Sequence, residues 1–221
     1  MKMKTLSMLA GVAAPLIATT TASAGFVGIT VNYKANEFGL VVTNVYAEFD
    51  RPGEDYMQAV AGTANAPLLI QVINGTFYNH PFGGNTAPST ALVAAFPNLA
   101  YDSFVTIGAK VTSPAFPDAT VQTPGLPQIS GTSFATNSGG WAVTPIDAQG
   151  DPFNSDYGGP GNGHILIGQF TTKGGFIVGT FLIQYVSNGV NGQAIVSFPA
   201  PGALALFGAA GLIRVRSRRR R

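Results

Sequence analysis

The chain lacks cysteine, has one tryptophan and two histidines, and carries charge on only 10% of its 221 residues. Without cysteine there are no disulfides, no thiol chemistry and no thiolate-ligated zinc. A fold without disulfides must be held by an apolar core. Cationic surface is also missing. Of the twelve basic residues, Lys2 and Lys4 stand at the start and six arginines stand in the last eight positions. Between Gly25 and Phe198 only Lys34, Arg51, Lys110 and Lys173 remain, against all ten acidic residues, a formal charge of −6. Nucleic-acid binding needs a basic face to neutralise phosphates, so that class is excluded. No stretch of ten or more residues in this region keeps a 3.6-residue apolar period, which argues against a helical bundle.

What is present is clearest at the two ends. Met1-Lys2-Met3-Lys4 is a positive head, Leu6 to Ile17 an apolar run, and Ala22-Ser23-Ala24 a small-residue cleavage pattern with Gly25 as the new N-terminus. This predicts a Sec-type signal peptide over residues 1–24. The other end reads Pro199-Ala200-Pro201-Gly202, then an apolar run from Ala203 to Ile213. Arg214, Arg216, Arg218, Arg219, Arg220 and Arg221 close it. Eleven residues as a helix span ~16 Å, and a relaxed membrane helix needs about 20. The segment suits a transient anchor, with its arginines on the cytoplasmic side.

That order of proline motif, apolar helix and basic terminus resembles the PEP-CTERM signal of exported bacterial proteins, which exosortase-type membrane enzymes are thought to process. Here Pro199-Ala200-Pro201 lacks the central glutamate and looks like a variant of the motif. The resemblance covers about a tenth of the chain and implies destination, not activity. Its implied partners are signal peptidase, an exosortase-like enzyme and, transiently, the inner membrane. Within residues 25–198, Val45 to Asp50, Thr76-Phe77-Tyr78, His80 to Asn85 and Tyr101 to Gly108 look like stretches in uncharacterised exported proteins with similar tails.

Residues 25–198 read as about ten short strands separated by Gly and Pro turns. Leu40 to Phe49 places Val41, Val45, Ala47 and Phe49 on one parity, as a half-buried strand does. Asn74-Gly75 and Lys173-Gly174-Gly175 read as hairpin turns, and so does the segment Asn188 to Gly192. Asp102 to Val111 reads as a strand. Ala91 to Phe96 reads as one helical turn capped by Ser89 or Thr90. The expectation is an all-β fold: a single antiparallel β-sandwich of jelly-roll or Ig-like kind over 25–198. The signal helix (1–24) and a short apolar helix within the sorting segment (199–221) flank it.

Chemistry-bearing residues are sparse. Ser103 with His80 or His164 and an aspartate has the composition of a triad, but no Gly-x-Ser-x-Gly elbow is present. Glu48 with Asp50, or Glu54 with Asp55, offers paired carboxylates of the glycosidase type. Asp147, Asp151, Asn154 and Asp156, with Asp118, offer oxygen ligands for calcium, although the same residues commonly cap their own turns. Tyr78, Phe82, Tyr101, Phe116, Trp141, Phe153 and Tyr157 fall in or beside loops, where aromatics either stack on sugars or close a core; Trp141 is assigned to the core. The function expected is an exported cell-surface or extracellular-matrix protein with a structural or adhesive role and no enzymatic activity. A secreted carbohydrate-binding module is the first alternative, a glycan-directed hydrolase the second.

Overall fold

Alternating apolar residues and glycine-rich turns produce two antiparallel sheets in the computed structural model, which describes residues 25–36 and 38–198. The leader with Ala22 and Ala24, and the tail with Pro199 to Gly202 and its arginine cluster, lie outside the described residues. Among the described residues twelve strands form: β1 (Phe26–Ala35), β2 (Leu40–Phe49), β3 (Asp55–Gly62), β4 (Leu68–Ile73), β5 (Thr76–Phe77) and β6 (Phe104–Val105). After these come β7 (Val121–Gln122), β8 (Ser133–Thr136), β9 (Gly139–Ala142), β10 (His164–Lys173), β11 (Phe176–Ser187) and β12 (Val190–Phe198). One helix, α1 (Thr90–Ala95), and a 3-10 turn over Pro97–Tyr101 lie between β5 and β6. Ser89 caps α1, its side chain accepting the Leu92 N–H. Among the described residues no helix is long and apolar enough to cross a membrane.

The first sheet runs β1-β2-β10, and the free edge of β10 takes β5 and β6. In the second, β11 is the spine. Its one edge pairs with β12, and its other edge pairs first with β4 and then with β3. β9 extends β3 and β7 extends β9, while β8 extends β4. One apolar cluster draws on both sheets. It takes Val45, Ala47, Ile165, Ile167 and Phe170 from the first, and Met57, Val60, Ile177, Phe181 and Ile183 from the second. Fully burying each large side chain contributes roughly 1.5–3 kcal/mol, which is how a cysteine-free domain of this length can be held. Val45, Ala47 and Phe49 face this core as read for β2, but Val42 and Tyr46 of the opposite parity are buried too, so the strand is covered on both faces instead of half-buried.

Two expected hairpins are absent. Asn74-Gly75 joins β4 to β5, and Lys173-Gly174-Gly175 joins β10 to β11, but in each case the two strands belong to different sheets. Both segments are crossings between the layers. They pack on each other: a Cβ on Gly75 would overlap the Gly174 carbonyl, and one on Gly175 would overlap the Ile73 carbonyl. Glycine is there for backbone-on-backbone approach, which local sequence does not distinguish from a hairpin turn. The β11–β12 turn is a hairpin, with Asn188 and Gly189 at φ 50° and 73° between Ser187 and Val190, the two positive φ values that right-handed strand twist favours.

The strand expected over Asp102 to Val111 pairs regularly only at Phe104–Val105. β10 carries a register shift between Leu166 and Gly168. The chain opposite follows it irregularly, with Thr106 N–H donating to Ile167 O at 3.3 Å and Gly108 N–H to Leu166 O at 2.7 Å. β2 is covered on its outer side as well. There Tyr46 and Leu166 pack with Phe104, Ala87 and Ala109 in a second apolar cluster.

Candidate functional site

The segment from Asn79 to Thr112 joins the free edge of β10 through β6, and two buried polar side chains fix it there. Gln169 on β10 donates through Nε2 to Ala100 O at 2.9 Å and to Asp102 O at 2.8 Å. Ser103 Oγ donates to Tyr78 O at 2.7 Å and accepts the Thr171 N–H at 3.0 Å. Ser103 is fully buried. It is a structural bridge between β10 and the incoming chain, and its position does not offer a nucleophile to solvent.

Asp102 is the electrostatic centre of this segment. It is 1% exposed. Its Oδ1 accepts the His80 N–H at 2.7 Å and its Oδ2 the Gly84 N–H at 3.1 Å. A Cβ on Gly83 would overlap the same carboxylate, so His80-Pro-Phe-Gly-Gly84 wraps around one acid. Burial raises the Asp102 carboxyl above its ordinary value of 3.8, opposed by the hydrogen bonds from His80, Ser103 and Gly84. The Tyr78 phenol is raised too, first by burial and then by the Asp102 charge.

Held in this way, the loop turns apolar groups outward. Phe82 is 61% exposed, and beside it Phe96, at the C-terminal end of α1, is 38% exposed. Their ring centroids are 4.5 Å apart at an interplanar angle of 38°. The His80 ring lies 5.7 Å from Phe82 and 6.2 Å from Phe96, with its Nδ1 accepting the Phe82 N–H at 3.2 Å. Beside them is a shallow depression of about 200 Å³ between Phe82, Pro88, Leu92, Leu99 and Asp102. Its rim offers hydrophobic contact with hydroxyl and backbone polar groups close by. That chemistry suits one sugar ring or an apolar side chain. Phe38, 56% exposed, stacks near Tyr101 at 6.0 Å.

The remaining aromatics do not join this group. Trp141 is buried in the core and donates its Nε1–H to Thr106 O at 2.9 Å. Phe116 packs edge-on to Tyr157 at 5.5 Å. Lys173 Nζ lies 5.4 Å over the Tyr78 ring, and Phe153 packs near Gly163. Phe96 and the acid beneath the loop were not singled out by sequence. The Gly83-Gly84 pair was a usable signal, because adjacent glycines after a Pro-aromatic step mark a close approach.

The carboxylates expected to work in pairs are separated. Glu48 accepts from the Thr30 hydroxyl and faces His164 Nε2 at 3.2 Å. Asp50 and Glu54 both turn to Arg51, at 4.0 and 3.8 Å. The calcium candidates do not converge on one point. Asp147 accepts the Gln149 N–H, Asp151 the Phe153 N–H and Asn154 the Asp156 N–H, each at 2.8 Å. Asp118 Oδ1 accepts the Thr120 N–H and Gln149 Nε2. Among the described residues no three His, Asp or Glu side chains gather as metal ligands. No protein-family model, curated protein or solved structure matches the chain.

Proposed function

We propose that this chain is an exported cell-surface or extracellular-matrix protein with a structural and adhesive role. A Sec-type leader delivers it, and the tail from Pro199 to Arg221 sorts it through an exosortase-like enzyme at the inner membrane. The leader and tail patterns support the destination. The architecture is all-β, and a jelly-roll or Ig-like sandwich is the finer reading of it. The observation that carries adhesion is the exposed Phe82–Phe96 pair, in which Phe82 sits on the loop clamped by Asp102 and Phe96 at the end of α1. A rigid exposed aromatic pair gives contact area without the entropy of ordering a loose loop.

The same pair favours one second reading, a carbohydrate-binding module with extracellular polysaccharide as ligand. A hydrolase has less support. The carboxylates of Asp55, Asp102, Asp118, Asp147 and Asp151 accept backbone N–H groups, and the Glu48 carboxylate is held by Thr30 and His164.

Intact-mass spectrometry of envelope and culture-medium fractions tests the destination. The expected protein starts at Gly25 and ends within Pro199 to Gly202. A mass that retains Arg221 overturns tail processing. Sedimentation with extracellular polysaccharide from the producing cells tests adhesion. Phe82→Ala should reduce retention about tenfold with Tm unchanged; equal retention overturns the contact surface. Saturable binding to one purified glycan selects the carbohydrate-binding reading.

A further inference from the structure

Gly25 is buried at the head of β1, beside the place where β3 meets β11. Its carbonyl accepts the Asp50 N–H at 3.1 Å. A Cβ on Gly25 would overlap Asp55 Oδ1 and Ser187 Oγ, and its φ of +157° is one that L side chains rarely adopt, so the site favours glycine. Asp55 is 0% exposed. Its Oδ2 accepts the Arg51 N–H at 2.9 Å, whereas its Oδ1, the oxygen against Gly25, is buried without a hydrogen-bond partner. The nearby guanidinium of Arg51 is directed to Asp50 and Glu54, and no ion pair among the described residues includes Asp55. From β11 the neighbouring Tyr185 phenol is raised by burial and then by the Asp55 charge. A buried carboxylate oxygen with no donor is costly and rare, and one that persists has a partner to account for.

We propose that Asp55 is the receptor for the mature N-terminus: cleavage after Ala24 creates an α-ammonium at Gly25, and this ammonium pairs with Asp55 Oδ1. The inference rests on the leader reading above. Water hydrolyses the Ala24–Gly25 amide, leaving a carboxylate on Ala24 and an amine on Gly25 that takes up a proton. Before cleavage the Gly25 nitrogen is a neutral amide. After it, the same nitrogen supplies the charge and the donors that the buried carboxylate lacks. Leader removal therefore completes the sandwich at its first strand. The identity of residue 25 answers to the fold as well as to the processing enzyme.

The test is amine acetylation of the native, processed protein at pH 8, mapped by peptide mass spectrometry. Lys34, Lys110 and Lys173 are exposed and act as internal standards. A free α-amine titrates near 7.7–8.0 against about 10.4 for lysine, so an unpaired Gly25 amine reacts faster than the lysines. The expected result is the reverse: Gly25 labels at least tenfold more slowly than they do, and Asp55→Asn or denaturation abolishes the protection. If Asp55→Asn does not fold, a chain processed one residue earlier, to begin at Ala24, moves the charge outward and leaves Asp55 in place. It should label at least as fast as the lysines and melt at a lower temperature. Fast labelling of a native Gly25 terminus, or an unchanged rate and Tm in the Ala24-initiated chain, overturns the ion pair. A native N-terminus at another residue overturns the leader reading instead, and the two failures are told apart by mass.

Discussion

The backbone N–H of His80 and the carboxylate of Asp102 meet at 2.7 Å, 22 residues apart in the chain. This bond, with its partner at Gly84, turns a glycine-rich loop into a fixed platform for Phe82. Asp102→Ala removes the acceptor for the loop's backbone donors, the N–H groups of His80 and Gly84. The expected cost is about 1–3 kcal/mol for each donor left unsatisfied, read as a fall in Tm. Hydrogen exchange at His80 and Gly84 should accelerate. Unchanged exchange at both amides would show that the loop is held by other contacts.

Acid should favour the Asp102 contribution. Burial raises this carboxyl above 3.8 in the folded protein, so the folded state binds a proton there in a pH window where the unfolded state does not. The contribution is fully present below 3.8 and is lost as pH rises through the raised folded value. Wild type should therefore gain stability relative to Asp102→Asn as pH falls from 7 toward 4, followed by thermal melts. A difference independent of pH refutes the sign.

Trp141→Phe should destabilise the core. It removes the indole N–H that pairs with the buried Thr106 carbonyl and leaves space around a smaller ring. A loss of about 1–3 kcal/mol is expected in urea melts with an unchanged m value. The wild-type emission, from a single buried indole, should be blue-shifted and move to the red on unfolding.

The layer crossing at Gly175 should not tolerate a side chain. Its φ is +66°, and a Cβ would run into the Ile73 carbonyl. Gly175→Ala should cost roughly 2–5 kcal/mol from left-handed strain and overpacking together. Gly28→Ala, on β1 with open space around its Cβ, is the control and should be neutral or stabilising by roughly 0.5–1 kcal/mol. Similar losses in both variants would remove the crossing argument.

Calcium at millimolar concentration should leave Tm unchanged, because Asp147, Asp151 and Asn154 each cap a backbone N–H two residues on instead of converging. A rise of several degrees would reveal a site and reinstate the loop as a metal staple.

Much of the local structure was legible in the sequence. β2 falls where the alternation of Leu40 to Phe49 puts it, and Ser89, one of the two residues read as the cap, caps α1. The site was less legible. Phe82 was among the loop aromatics, but neither Phe96 stacked on it nor Asp102 beneath it was marked. Both depend on which distant segments the sheet brings together.

Sequence by itself determined the strand-forming alternation, the low charge density and the cysteine-free core, since these are matters of composition and period along the chain. Tertiary structure alone decided that Asn74-Gly75 and Gly174-Gly175 are crossings. It also decided that Ser103 is a buried bridge, and that Glu48 meets His164 while Asp50 turns to Arg51. A turn sequence specifies its own dihedral angles but not the partner strands beyond it. An acid's role is set by the donors and dielectric that long-range packing places around it.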